Sequence, residues 1–306
     1  MTPAQKILVI GAGELGSQVL HALVQHPGHG ALAVLLRPSS FASSDPSKQE
    51  DIEEWRSLGI RLVSADIVED PEQTLASIFA DYDTIISCTG FVSGKGIQVK
   101  IARAVLAAGA PRFIPWQFGV DYAMIGRGSP QDLFDEQLDV RDMLHSQTRT
   151  RWVIISTGIF TSFLLEPSIG VADLQNATVC AMGSFDNRIT VTTPADIGRF
   201  TAEIVLGDET EALFTDRVVF VGGDTVSYEQ LAQLVEKIAQ KPVERTVLTV
   251  SDLQAALAQD PDNGLLKYQA VFGQGRGVAW DISETWNQQR GMRATTLEEW
   301  VRNDLP

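Results

Sequence analysis

The chain has 306 residues, of which 44% are hydrophobic and 21% are charged, a composition that excludes disorder over most of its length. Its net charge of -15 predicts a surface that repels nucleic acid and anionic membranes, so neither is an expected partner. Two cysteines, no apolar run of about 18 residues and no secretory leader predict a cytoplasmic protein without a disulfide framework, a Cys-rich metal site or a membrane span.

Short apolar segments alternate with helix-like segments through the first half of the chain. The predicted strands are Ile7–Ile10, Leu32–Leu36, Arg61–Ala65, Thr84–Ser87, Arg112–Pro115 and Arg151–Thr157. Helices are predicted at Glu14–Gln25, Gln98–Ala108 and Asp132–Gln147, and the polar segment Pro38–Glu50 is predicted to be a mobile loop. This alternation requires right-handed crossovers, so the sequence predicts an α/β fold, a Rossmann-type doubly wound parallel sheet.

The alternation becomes irregular after Thr157. Another strand is predicted at Val218–Val221, and a helix at Ser227–Gln240 with Ser227 as its N-cap. Further helices are predicted at Ser251–Ala258 and Thr296–Asn303, the second opened by a capping box of Thr296 and Glu299. We therefore expect a Rossmann domain over residues 1–157, joined by some later strands, and a smaller substrate-binding lobe over residues 158–306.

A glycine-rich turn follows the first predicted strand. Gly11, Gly13 and Gly16 have the G-x-G-x-x-G spacing between a strand and a helix. Gly11 permits the tight turn, Gly13 lets the backbone approach a pyrophosphate, and Gly16 lets the helix pack on the sheet. Backbone N–H groups at the helix start, at Glu14 and Leu15, add the positive end of the helix dipole. The turn predicts dinucleotide binding; the alternative is an ordinary turn that needs glycine.

The end of the second strand indicates which dinucleotide is bound. A protein selective for NAD usually has an acidic residue there, which accepts hydrogen bonds from the ribose. This chain has Arg37, followed by Ser39 and Ser40, and these side chains suit a ribose 2′-phosphate. The sequence therefore predicts NADP(H), the alternative being a solvated arginine at the start of a loop. Asp66, after the third strand, either reaches the adenine region or caps its own turn.

The end of the fourth strand is the next candidate. Ligands of doubly wound sheets lie at the carboxyl ends of strands near the switch point. Thr89, Gly90 and Phe91 are therefore expected beside the nicotinamide half of the cofactor. The alternative is that Gly90 merely turns the chain and that Phe91 belongs to the core.

The segment Arg112–Gly119, with the glycine turn, Arg37 and Ser156–Phe160, resembles the NmrA-like, isoflavone-reductase-like family of atypical short-chain dehydrogenases. The resemblance covers nearly the whole chain and is closest to the aromatic alcohol reductase branch. It implies NADPH as hydride donor and a planar aromatic substrate such as a phenylpropanoid. The expected substrate-contacting residues are Phe91, Trp116, Gln117, Phe118, Tyr122, Ile159 and Phe160.

The chain departs from the family pattern at the positions expected to be catalytic. The family has Ser-Glu where this chain has Trp116-Gln117, and a lysine where this chain has Gln137. Glutamine donates hydrogen bonds but cannot supply a proton at neutral pH. The candidate catalytic residues are therefore Gln137, which could polarise a carbonyl or hold a water, and the proton donors Tyr122 and Lys95.

Three functions stay open at this stage. The favoured one is an NADPH-dependent reductase of an aromatic small molecule. The alternatives are a non-catalytic NADP(H)-binding redox sensor, which Gln137 favours, and an epimerase or isomerase on the same fold. The four histidines lack ligand spacing, so no metal site is expected, and a homodimer stays open as the assembly.

Overall fold

The computed structural model of this chain describes residues 5–303. They form two compact units through which the chain passes more than once. The first unit comprises residues 5–117, 139–155 and 197–218, and the second unit comprises residues 118–138, 156–196 and 219–303.

Thirteen strands and fifteen α-helices are present in the described residues. The strands are β1 (Lys6–Ile10), β2 (Ala31–Leu36), β3 (Arg61–Ser64), β4 (Thr84–Ser87), β5 (Arg112–Ile114), β6 (Arg151–Ser156), β7 (Ile159–Phe160), β8 (Ala172–Asp173), β9 (Thr178–Met182), β10 (Arg188–Thr192), β11 (Arg217–Phe220), β12 (Asp224–Ser227) and β13 (Glu244–Leu248). The helices are α1 (Glu14–Gln25), α2 (Pro38–Phe41), α3 (Pro46–Ser57), α4 (Glu72–Phe79), α5 (Ile97–Ala108), α6 (Tyr122–Ile125), α7 (Leu133–His145), α8 (Thr161–Leu164), α9 (Pro194–Leu206), α10 (Thr210–Leu213), α11 (Tyr228–Ala239), α12 (Val250–Gln259), α13 (Gly264–Phe272), α14 (Trp286–Gln289) and α15 (Leu297–Asn303).

The largest sheet has seven strands in the order β11-β6-β5-β4-β1-β2-β3. All strand pairs from β6 to β3 are parallel. Strand β11 also runs parallel to β6, because the N–H of Asp216, just before β11, donates to Trp152 O, and the N–H of Val221, just after β11, donates to Ser156 O. The order reverses between β1 and β4, which is the switch point of a doubly wound sheet. The predicted Rossmann-type α/β fold is confirmed.

Burial of both sheet faces explains why these strands are short continuous apolar runs. Leu8 and Ile85 of the central strands are fully buried, and they belong to one core with Phe79, Phe113 and Trp152. Helix α1 packs on this sheet with Leu15, Val19, Leu20 and Leu23, whose spacing matches one face of a helix. The core therefore fixes where β1, β2 and β4 end.

Most of the segment predicted as a mobile loop, Pro38–Glu50, is helical instead, in α2 and the first part of α3. Pro38 is the first residue of α2 and Pro46 is the first residue of α3. At this position the N–H group that proline lacks would have no partner within the helix. Asp45 caps α3, its carboxylate accepting from the backbone N–H of Ser47 at 3.1 Å. The prediction was wrong because the apolar residues that α3 buries, Ile52 and Trp55, both lie after residue 50, outside the segment on which the prediction was made.

The second unit contains two three-stranded sheets, of order β12-β10-β7 and β13-β9-β8. The predicted N-cap Ser227 and the predicted capping box of Thr296 and Glu299 are both present, and Ser227 also forms a capping box with Gln230. Ser227 Oγ accepts from Gln230 N–H at 3.1 Å while Gln230 Oε1 accepts from Ser227 N–H at 2.8 Å. Thr296 and Glu299 make the same reciprocal bonds at the start of α15. Across residues 5–303, no helix combines the length and apolar character that spanning a bilayer requires.

Candidate functional site

A cavity of about 470 Å³ lies in the first unit, at the carboxyl ends of β1, β2 and β4. This is the switch point of the large sheet, where doubly wound folds bind their ligands. Residues predicted for the cofactor line it together: Gly11, Gly13, Arg37, Ser39, Ser40, Thr89 and Gly90. Glu14, Leu15, Gly16, Asp66 and Phe91 are not among the described residues that line it.

The three glycines of the turn have different environments. Gly11 has a φ of +89°, which glycine adopts without strain, and its N–H donates to Leu35 O at 3.1 Å. A Cβ at Gly16 would lie 2.1 Å from Gly11 O, so this glycine lets α1 approach β1. A Cβ at Gly13 would meet no described atom within 4 Å. Only Gly13 therefore leaves open space on the cavity side.

Helix α1 begins directly at this turn. Its N-cap is Gly13, which brings no side chain to cap the first turn. Ser17 Oγ instead donates to Ala12 O at 3.1 Å and holds the turn against the helix. An N-terminus built this way presents the positive end of a helix dipole beside the cavity, which suits a phosphate group.

Two cations line the cavity near the end of β2. Arg37 and Lys48 are both exposed, and neither forms an ion pair or a side-chain hydrogen bond with the described residues. The lining also contains the acidic residue Asp51, so its three charged side chains carry a net charge of about +1. The whole chain, by contrast, has a net charge of -15. Anion binding would therefore break no ion pair at Arg37 or Lys48.

Lys48 was missed in the sequence because it lies in the segment predicted as a loop. Its helix α3 also brings Ile52 and Trp55 to the cavity, where Ile67 joins them. These apolar side chains line the same cavity as the two cations. The signal that could have found α3 is the pair Asp45-Pro46, an N-cap followed by proline at the first helical position.

Asp66 has a local role in the structure. Its Oδ1 accepts from the backbone N–H groups of Val68 at 2.9 Å and Glu69 at 3.2 Å. Of the two roles considered for Asp66, the structure supports the capping of its own turn. Its neighbour Ile67 lines the cavity instead.

The segment after β4 is fixed by side chains from neighbouring elements. Gln98 of α5 donates to Thr89 O at 2.8 Å, and Thr89 Oγ1 donates to Ile10 O at 3.2 Å. Trp116 packs on Gly90, since a Cβ there would lie 3.0 Å from its Cζ2 atom. Cys88 precedes this segment, and burial raises the pKa of its thiol, so it stays protonated and unreactive.

Gln117 does not extend toward solvent. Its side chain is fully buried, and its Oε1 accepts from Arg141 Nε at 2.7 Å. Arg141 lies on α7 one turn after Gln137, which is also fully buried. Gln117 and Gln137 are thus buried polar residues, whereas Lys95, a candidate proton donor, is exposed in the segment after β4.

The second unit brings four predicted substrate residues close together. Gly119 O accepts from the backbone N–H groups of Thr157 at 2.9 Å and Gly158 at 3.0 Å. These bonds place the segment 118–122 beside the segment 158–160. Residues predicted to contact substrate in these segments are Phe118, Tyr122, Ile159 and Phe160, of which Ile159 is half-buried and the others are buried.

Tyr122, the candidate proton donor, packs inside the second unit. Its ring meets that of Phe134 edge to face, with centroids 5.0 Å apart, and the side chain is 3% exposed. A Cβ at Gly119 would lie 2.7 Å from the Tyr122 hydroxyl oxygen. Glycine at position 119 therefore provides the space that the hydroxyl occupies.

Comparisons with known proteins identify the family of this chain. The NmrA-like family model matches residues 3–301. An NmrA-like family domain-containing oxidoreductase from Gibberella moniliformis (strain M3125 / FGSC 7600) is 44% identical, over 98% of each chain. A phenylcoumaran benzylic ether reductase from Betula pendula is 25% identical, over 99% of each.

The solved structures show the same fold. A binary complex of leucoanthocyanidin reductase and NADPH from Vitis vinifera superposes with a TM-score of 0.77 at 21% identity, covering 96% of this chain and 97% of that one. The resemblance drawn from the segment 112–119 is thus confirmed. The chain belongs to the NmrA-like family.

Proposed function

We propose that the protein is an NADPH-dependent reductase of small aromatic molecules. The observation that carries the proposal is the cavity at the switch point, where the glycine turn and the two cations Arg37 and Lys48 line one space. The relatives named as an oxidoreductase and as a benzylic ether reductase support the reaction class. The NADPH complex of the related leucoanthocyanidin reductase supports the cofactor.

The residues of the cavity fit NADPH. The open space at Gly13 and the start of α1 suit a pyrophosphate, and Arg37, Lys48 and the two serines after β2 suit a 2′-phosphate. Ile52, Trp55 and Ile67 supply an apolar wall for an adenine ring. Bound NADPH would supply hydride; the protein has to bind, orient and exclude water.

The aromatic substrate is the finer part of the proposal. Trp116, half-buried against Gly90, offers an aromatic surface next to the cavity-lining end of β4. Phe118, Ile159 and Phe160 offer apolar surface in the second unit. We assign cofactor binding to residues 1–157, and we expect residues 158–306 to contribute Ile159 and Phe160 to substrate binding.

A panel of aromatic ketones, conjugated enones and benzylic ethers tests the function. Purified protein is mixed with NADPH and each compound, the nicotinamide absorbance is followed, and products are separated by chromatography. We expect NADPH consumption matched by reduced product for at least one class. Cofactor binding without consumption would favour the redox sensor, and product without net cofactor change would favour the epimerase or isomerase.

The proton donor is tested by comparing substitutions at the candidate residues. Since a general acid contributes roughly 100-fold or more, Tyr122→Phe is expected to lower kcat by about that factor if the hydroxyl donates the proton. Gln137→Ala is expected to lower kcat less than about tenfold, because an amide supplies only a hydrogen bond. Steady-state kcat for both variants and for Lys95→Met, with circular dichroism as a check on folding, gives the order. If kcat falls more in Gln137→Ala than in Tyr122→Phe, the catalytic residue is Gln137 on α7 rather than Tyr122.

A further inference from the structure

A buried hydrogen bond joins helix α7 to the segment that follows β5. Arg141 is 7% exposed and Gln117 is fully buried, and Arg141 Nε donates to Gln117 Oε1 at 2.7 Å. Removing a guanidinium from water is costly, so a hydrogen bond formed at that depth fixes both side chains. Gln117 can therefore hardly change rotamer without leaving buried polar atoms unsatisfied.

The residue before Gln117 in the chain is Trp116, whose ring packs on Gly90. The distances from a Cβ at Gly90 to the Trp116 ring would be 3.0 and 3.4 Å, so the indole covers this glycine closely. Gly90 lines the cavity, and Gln98 holds the preceding residue through its carbonyl group. A shift of Trp116 would therefore change the cavity wall at the end of β4.

We propose that Arg141 is a positioning residue: its bond to Gln117 holds the Trp116 indole against Gly90 and so fixes the shape of the cavity wall where an aromatic substrate is expected. The part that concerns substrate rests on the proposed function; the part that concerns Trp116 does not. Because the peptide group between positions 116 and 117 is planar and rigid, an immobile Gln117 restricts the backbone that carries the indole. Arg141 acts through another residue and has no contact with the reacting atoms in this proposal.

The first test measures Trp116 directly and needs no substrate. Acrylamide quenching of tryptophan fluorescence is recorded for each chain and for the same chain carrying Trp116→Phe, and the difference isolates Trp116. Arg141→Met and Gln117→Leu, which each break the hydrogen bond, are expected to about double the quenching constant of Trp116. Gln117→Glu keeps an acceptor oxygen and is expected to preserve the wild-type value.

Arg103→Met is the matched control, since Arg103 lies on α5 of the same unit, is 60% exposed and meets Glu72 only at 3.7 Å. We expect it to leave the quenching constant unchanged. An unchanged constant in both Arg141→Met and Gln117→Leu would overturn the inference. Should Arg141→Met fail to fold, the contrast between Gln117→Leu and Gln117→Glu decides alone.

The second test is a double-mutant cycle with an aromatic ketone that the wild-type protein reduces. Arg141→Met is expected to raise KM for the ketone about tenfold while the Kd for NADPH stays within about twofold. In a Trp116→Leu background the same change is expected to raise KM less than about twofold, because the residue it positions is gone. An equal rise in both backgrounds would mean that Arg141 supports the fold in general, and would contradict the inference.

The two tests separate failure of the inference from failure of the proposed function. If no aromatic compound is reduced, the proposed function fails, and quenching still tells whether Arg141 holds Trp116. If an aromatic compound is reduced but Arg141→Met changes neither the quenching constant of Trp116 nor KM, the proposed function stands and the positioning role of Arg141 is contradicted.

Discussion

Arg37→Ala is expected to weaken NADPH binding roughly 30- to 100-fold while NADH binding stays within about threefold of wild type. The arginine lines the cavity, is exposed, and has no ion-pair partner among the described residues, so its removal leaves no unpaired charge in the protein. The expected loss of affinity therefore comes from the contact between the guanidinium and the ligand group that it binds. Only NADPH carries the 2′-phosphate, which is why the two cofactors should separate.

Calorimetric titration of apoprotein with each cofactor measures the effect, and Lys48→Ala extends it. Lysine is a point charge without the guanidinium fork, so its loss should cost NADPH about 5- to 10-fold. Arg56→Ala is the control on the same helix, because Arg56 pairs with Glu53 and does not line the cavity. Equal losses of NADPH and NADH in Arg37→Ala would show that the arginine does not recognise the 2′-phosphate.

The large sheet could be predicted because its strands are buried on both faces. Such strands are continuous apolar runs, as in Ile7–Ile10 and Thr84–Ser87, and they stand out from the helical pattern of α1. The same logic failed where a helix shows little apolar surface. Helix α3 buries only Ile52 and Trp55, and its polar first half has the composition of a loop.

The division into units could not be predicted from local patterns. The segment 118–138 belongs to the second unit although it lies between residues of the first. Nothing in its composition marks the change, since membership depends on which residues meet after folding.

Helix α13 was not predicted for a different reason. Its cap, Asn263, precedes a glycine, and the helix is rich in large apolar residues without a clear period.

The site was predictable where its chemistry is local in the sequence. The glycine turn and Arg37 each directly follow a strand, so strand ends were enough to place them. The bond between Arg141 and Gln117 joins positions 24 residues apart, and no motif indicated it. By contrast, the spacing of the glycine motif already distinguished Gly16, which packs, from Gly13, which faces the ligand, and the space around each glycine agrees with that distinction.

That distinction gives the second large prediction. Gly16→Ala would place a Cβ 2.1 Å from Gly11 O, a backbone atom that cannot move without displacing the turn. Overpacking of this kind costs about 3 kcal/mol, which corresponds to a fall of roughly 5 °C in Tm. Both cofactors should bind worse as well, because the turn and α1 would separate.

Gly13→Ala is the matched variant three residues away, and it is expected to weaken cofactor binding without lowering Tm. Gly13 has a φ of -80°, which alanine adopts freely, and its Cβ would meet no described atom within 4 Å. Tm should therefore stay within about 2 °C of wild type. The methyl group would instead occupy the space through which a pyrophosphate approaches the backbone, so NADPH and NADH should both bind about 10- to 100-fold more weakly. Thermal melts without ligand, followed by titration with each cofactor, separate the two glycines. A Gly13→Ala protein that binds both cofactors at wild-type affinity would mean that the pyrophosphate does not lie on this turn.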